Sequence, residues 1–89
     1  MTQEKTIYNV TIHKRTAYLS TAYGIQTFDL RTNRLVDSYW LRPEGQETHV
    51  QDILIANDSI YAFTTDSLFL AALTDNLVDY TVWKREIRS

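Results

Sequence analysis

The sequence holds no cysteine, one proline, two glycines and one methionine in 89 residues. Without cysteine it forms no disulfide and no thiolate metal site, and the redox compartment stays open. No apolar run approaches the roughly 18 residues of a membrane-spanning helix, so membrane insertion is not expected. The opening Met1-Thr2-Gln3-Glu4-Lys5 lacks the apolar core of an export signal, and if the natural protein is exported its signal is expected outside these residues. Nine Lys and Arg against eleven Asp and Glu leave a net charge of -2, and no basic stripe of the kind that holds nucleic acid is present. A glycine-rich phosphate loop and a Gly-x-Ser-x-Gly elbow are also missing. What is present is an ordinary globular composition, 44% hydrophobic, sized for one small domain. A chain this short buries only roughly 60 to 65% of its unfolded surface, so it is expected to be marginally stable unless something covers it.

The residues are organised as a repeat. Ile12 and Ile55, Tyr18 and Tyr61, Thr21 and Thr64, Leu30 and Leu73, and Asn33 and Asn76 match at a constant offset of 43 residues. Leu35-Val36-Asp37 then returns as Leu77-Val78-Asp79 with one residue deleted. A period of roughly 40 to 50 residues built from short strands is the length of one propeller blade. In the first copy, strands are predicted over Asn9–His13, Ala17–Thr21, Ile25–Leu30 and Leu35–Leu41, separated by His-Lys-Arg, Ala-Tyr-Gly and Arg-Thr-Asn connections. In the second they are predicted over Gln51–Ile55, Ser59–Thr64, Leu68–Leu73 and Leu77–Val82, where Asn and Asp form the turns. The predicted fold is all-β, a partial β-propeller of two four-stranded antiparallel blades filling 1–89. Blade one takes about 7–41, a polar crossover loop with the single proline takes 42–49, and blade two takes about 50–84.

Alternation along the strands indicates what each sheet needs. In Ser59-Ile60-Tyr61-Ala62-Phe63-Thr64 one face carries Ile60 and Ala62 and the other Tyr61 and Phe63, so neither is built for water. Leu68 to Leu73 is apolar on both sides as well. Two blades make one mutual interface and leave two outward faces bare, at about 25 cal/mol per Å² of apolar surface left wet. The expected partners are therefore remaining blades of a larger ring, or a second copy of the chain through blade faces or edges.

Candidate chemistry is thin. His49 with Asp52 offers two metal ligands where a site usually wants three or four, and an exposed or satisfied loop histidine is the expected state. His13-Lys14-Arg15 reads as a polar hairpin turn more readily than as a phosphate or acidic-glycan contact. Asp29, Asp37, Asp58, Asp66, Asp75 and Asp79 include pairs that a glycosidase would need about 5 to 9 Å apart. Repetition of Asp37 as Asp79, and the turn positions of Asp58 and Asp75, favour structural roles. Tyr18, Tyr23, Tyr39, Trp40, Tyr80 and Trp83 are candidate sugar platforms, but Trp40 and Trp83 fall near the ends of the predicted fourth strands and read as repeat packing. Asn9-Val10-Thr11 and Asn57-Asp58-Ser59 match a glycosylation pattern of low specificity. The terminal Trp83 to Ser89 is mixed in charge and is expected to fray. No catalytic, cofactor-binding or metal residue is assigned, no cofactor is expected, and the ligand-binding residues are left open.

Val10-Thr11-Ile12-His13, Thr16 to Ile25, Asp58 to Thr65, Asp75-Asn76-Leu77 and Trp83 together resemble the N-terminal β-propeller of the PorZ family, surface-exposed accessory proteins of the bacterial type IX secretion system. Related propellers of two-component sensor regulators use similar strand pairs. The second copy departs from the pattern at Asp66-Ser67, where the family has glycine, and this leaves the geometry of that turn open. The resemblance covers most of the chain but about two blades of a family with tandem seven-bladed propellers and a C-terminal β-sandwich. It implies an exported, non-enzymatic scaffold in the periplasm or at the cell surface. In the family, capture of anionic lipopolysaccharide during cargo attachment is associated with the sandwich, so no binding residue is carried over. The alternatives are a periplasmic ligand-sensing propeller of a hybrid regulator and part of a propeller enzyme such as a glycan-degrading one.

Overall fold

The computed structural model describes residues 7–42 and 48–87. Strands β1 (Ile7–His13), β2 (Thr16–Thr21), β3 (Gly24–Asp29) and β4 (Arg34–Tyr39) form one antiparallel meander. A second meander comprises β5 (Asp52–Ala56), β6 (Ser59–Phe63), β7 (Ser67–Ala72) and β8 (Lys84–Ile87). The all-β reading and the pair of four-stranded blades are therefore what the chain adopts, with strand ends differing from expectation by a residue or two outside β8. The predicted crossover at 42–49 falls largely on 43–47, which lie outside the described residues.

Each tight turn has a local cause. Asn57 and Asp58 both take left-handed angles, φ 52° and 62°, the pair that lets a two-residue hairpin follow the right-handed twist of β5 and β6. Asn33 at φ 59° and Lys14 at φ 58° do the same single-residue work between β3 and β4 and between β1 and β2. The β2–β3 turn is held by Thr21, whose hydroxyl donates to the Gly24 carbonyl at 3.0 Å and accepts the Tyr23 N–H at 3.1 Å. Its repeat partner Thr64 donates to the Ser67 carbonyl at 3.1 Å and accepts the Ser67 N–H at 2.9 Å. The Asp66-Ser67 departure therefore keeps the same threonine lock, and Ser67 takes the place of Gly24 without a positive φ.

The predicted fourth strand of the second sheet is corrected. Leu77–Val82 is not a strand: the Asp79 N–H reaches the Asn76 carbonyl at 2.9 Å, and Asp79 then caps a single 3-10 turn over Tyr80–Val82. Capping wins over β propensity because one aspartate satisfies both the Thr81 N–H, at 3.0 Å, and the Thr81 hydroxyl, at 2.7 Å. Leu77 and Trp83 bury instead, and the indole N–H donates to the Leu77 carbonyl at 3.0 Å. The ladder resumes with Lys84–Ile87, so the segment expected to fray supplies the outer strand. Charged residues are at home on such an edge. Arg85 anchors it, donating from Nε to the Ser67 hydroxyl at 2.9 Å and lying over the Phe69 ring. Asp79 is thus not the structural counterpart of Asp37, which pairs with Thr27 inside β4.

Gly24, at φ 120°, has its α-carbon so close to the Tyr39 carbonyl oxygen that a β-carbon there would collide with backbone. Gly24→Ala is expected to cost about 1–3 kcal/mol, read as a lowered urea midpoint, whereas the equivalent Ser67→Ala leaves the backbone of its turn unstrained and lowers the midpoint less.

Candidate functional site: the joint between the sheets and the two faces it leaves open

Alternation assigns the faces. Tyr18, Ile25 and the half-buried Tyr39 point from the first sheet to the second, which answers with Ile53, Ile60, Ala62 and Phe69. Tyr39 and Trp83 meet across this joint with ring centroids 6.4 Å apart. Each large apolar side chain buried here is worth about 1.5–3 kcal/mol, more than a single hydrogen bond contributes, at about 0.5–1.5 kcal/mol. Apolar contact therefore holds the joint, and the polar contacts along β1 and β5 fix its register. The Thr11 hydroxyl donates to the Ile53 carbonyl at 3.0 Å, and the Asn9 amide donates to Asp52 Oδ1 at 2.5 Å. Asn9 and Asp52 are repeat equivalents, and each also accepts the N–H of the residue that follows it, at 2.8 Å in both cases.

A register shift near the start of β1 sets Tyr8 out of the ladder, and bulges of this kind re-aim side chains. The Tyr8 hydroxyl sits 2.8 Å from His49 Nδ1. Entry into the second sheet is clamped to the first. The Thr48 N–H donates to the Ala22 carbonyl at 3.1 Å, and the N–H of the fully buried Val50 donates to the Thr21 carbonyl at 2.9 Å.

Among the described residues, none packs over the opposite faces. Val10, Ile12 and Leu35 stand out from the first sheet, Ile12 being 63% exposed, and Leu54 stands out from the second at 51%. Tyr61, Phe63, Leu68 and Leu70 on that second face are only half-buried.

The sequence candidates are scattered by this arrangement. His49 meets Tyr8 while Asp52 is taken by Asn9, so the pair does not converge, and among the described residues no group of three potential metal ligands gathers. His13-Lys14-Arg15 forms the β1–β2 turn. The carboxylates serve their own turns: Asp29 accepts the Arg31 N–H at 2.8 Å and Asp75 the Ala72 N–H at 3.2 Å. Asp66 accepts the Ser67 hydroxyl at 3.1 Å, which holds its carboxyl below the ordinary range, as Thr81 does for Asp79. Burial pushes the Tyr18 and Tyr39 hydroxyls up, the latter with help from Tyr18 and Asp37. Among the aromatics, Trp83 packs inside as expected, whereas Trp40 stays on the surface, edge-on to Tyr23 at 6.5 Å. Asn9 of the first glycosylation match is engaged in the joint.

One shallow cavity of about 270 Å³ opens beside the joint, lined among others by Arg42, Tyr80, Trp83 and Arg85. Sequence reasoning passed over both arginines. Arg42 lay at the edge of a connection with no pattern, and Arg85 lay in the supposed tail, although a charged four-residue segment is a recognisable edge-strand signal. Buried Arg42 Nε and the Ser20 hydroxyl have no hydrogen-bond partner.

Two adjacent four-stranded meanders, stacked face to face through equivalent strands and joined from the outer strand of one to the inner strand of the next, define a segment of a β-propeller. The family described as "TSS9, PorZ, N-terminal beta-propeller domain" matches residues 1–84. The chain belongs to this family. It is similar to a solved structure of PorZ, described as an essential bacterial surface component of the type-IX secretion system of human oral-microbiomic Porphyromonas gingivalis. The two are 28% identical with a TM-score of 0.73, over 91% of this chain and 10% of that one. The chain thus spans about a tenth of that protein's length. No curated protein matches it.

Two measurements check the joint and the corrected turn. Ser20 is fully buried with an unpartnered hydroxyl, so Ser20→Ala is expected to raise stability by about 1 kcal/mol in urea unfolding. Asp79 has a folded-state pKa below its ordinary 3.8, so its contribution is present above that pH and is lost as pH falls through the folded value. The gap in urea midpoint between wild type and Asp79→Ala is expected to hold steady above pH 3.8 and to close below it.

Proposed function

We infer that the chain is a non-enzymatic β-propeller scaffold of a type IX secretion system, working outside the cytoplasm by presenting sheet surfaces to the rest of its assembly. One observation carries this reading. Asp29 and Asp75 are engaged in turns and Asp52 in the joint, while among the described residues the broad outer sheet faces carry apolar side chains. An enzyme needs ionisable groups converging on a shared cavity; among the described residues Arg42, His49 and Asp66 line one open cavity of about 220 Å³, with a single carboxylate between them. Membership of the PorZ propeller family supports the link to this secretion system. The description of the similar PorZ structure as a surface component supports an extracytoplasmic location, in the periplasm or at the cell surface. The finer role is that of an accessory to the handling of lipopolysaccharide-anchored cargo, with the scaffold organising other parts of the apparatus and no lipopolysaccharide contact placed on this chain.

Deletion of the gene in a bacterium that carries a type IX system, followed by fractionation, tests this reading. Cargo is expected to accumulate in the periplasm instead of on the surface, and an epitope-tagged copy is expected in the envelope fractions. Unchanged surface cargo, or a tagged protein confined to the cytosol, would refute it.

A further inference from the structure

We propose that the cavity beside the joint is a binding site for a carboxylate carried on a small apolar body. Two guanidinium groups, Arg42 and Arg85, line this space of about 270 Å³ together with Leu41, Phe69, Tyr80 and Trp83, and among the described residues its lining holds no carboxylate. Arginine stays protonated in proteins, so two permanent positive charges meet one space with no acid in the described wall. The Nε of Arg42 is buried and has no hydrogen-bond partner among the described residues. A buried donor on a charged group is costly to leave unmet, and in native proteins such a group calls for a ligand, an ion or a water. Arg85 is held differently. Its Nε donates to the Ser67 hydroxyl at 2.9 Å and its guanidinium lies 6.0 Å from the Phe69 ring centre, which fixes the planar group through one of its three nitrogens. Asp66 feels the Arg85 charge but lines the neighbouring cavity of about 220 Å³ instead, with its Oδ1 taken by the Ser67 and Thr64 hydroxyls.

The rest of the lining decides what the anion is attached to. Leu41, Phe69 and Trp83 are buried apolar side chains, and the indole N–H is engaged by the Leu77 carbonyl. A sugar needs an open ring face to stack on and acceptors for its hydroxyls; the buried rings and the absence of a carboxylate in the described lining provide neither. A bare inorganic anion leaves the apolar wall wet. A carboxylate on an apolar body meets both halves, because the planar guanidinium fork matches its two oxygens and the body covers the apolar side chains. At about 270 Å³ the space falls just below the roughly 300–1,000 Å³ of sites for drug-sized ligands, which suits a body of one residue. The last residue of a peptide and a free branched-chain acid share this chemistry. The site does not depend on what covers the outward sheet faces. Leu41 follows β4, Phe69 lies in β7, and Tyr80 to Arg85 run from the 3-10 turn into β8, so the cavity follows the seam between the two sheets. Further blades stacked on the outward faces leave that seam in place.

Calorimetric titration of the protein as its gene encodes it tests the site. N-acetyl-leucine is expected to bind, whereas N-acetyl-leucinamide, which lacks the charge, and acetate, which lacks the apolar body, bind at least about tenfold more weakly. Arg42→Gln and Arg85→Gln are each expected to weaken N-acetyl-leucine by about tenfold or more, and Arg31→Gln, in the exposed β3–β4 turn, leaves it unchanged. Isocaproate separates the two sources: binding as tight as that of N-acetyl-leucine assigns the site to a free acid, and weaker binding assigns it to the end of a peptide. No heat from N-acetyl-leucine, equal binding of the amide, tighter binding of inorganic phosphate, or an affinity indifferent to both arginines overturns the proposal. None of these results touches the scaffold reading, which cargo fractionation decides. Should a glutamine variant fail to fold, its lysine counterpart keeps the charge, loses the planar fork and is expected to weaken binding in the same direction.

Discussion

Everything in this fold follows from sheets that are apolar on both sides. A sheet with one wet face is finished by a single packing partner, but β6 and β7 place large side chains front and back. One neighbour therefore solves half the problem for each sheet and passes the other half outward. The joint formed by Tyr18, Ile25, Ile53, Ile60 and Phe69 is the part of the solution contained within the chain. Val10, Ile12 and Leu54 stay exposed on the other sides.

Polar groups act on top of this constraint as registration rather than glue. Asn9 with Asp52 and Thr11 with the Ile53 carbonyl align the inner strands. Thr21 and Thr64 lock equivalent hairpins by the same hydroxyl donation to the carbonyl three residues on, whether or not that residue is a glycine. The carboxylates cap turns at Arg31, Ala72 and Thr81. Asp29, Asp75 and Asp79, which a carboxylate pair would draw on, are thus spent on turn architecture.

Seven of the eight strands were legible because two signals coincide there: alternation of period two, and Asn, Asp or Gly at the turns. The repeat was legible for the same reason, since Tyr18 and Tyr61 or Thr21 and Thr64 occupy equivalent positions in equivalent hairpins. The eighth strand was not legible. Leu77-Val78-Asp79 echoes Leu35-Val36-Asp37 in letters, but Asp79 captures Thr81 and turns the chain before a ladder forms. The true edge strand is written in charges that resemble a tail. The joint was legible only as a need for cover; which side chains meet, and the pairing of Asn9 with Asp52, depend on how one sheet lies on the other, which no local pattern encodes.

The clamp at Thr48 and Val50 also gives one turn two duties. The carbonyls of Thr21 and Ala22 that receive it border the β2–β3 turn, which the Thr21 hydroxyl closes on the Gly24 carbonyl. Whatever distorts that turn therefore displaces the doorway of the second sheet as well as the hairpin of the first.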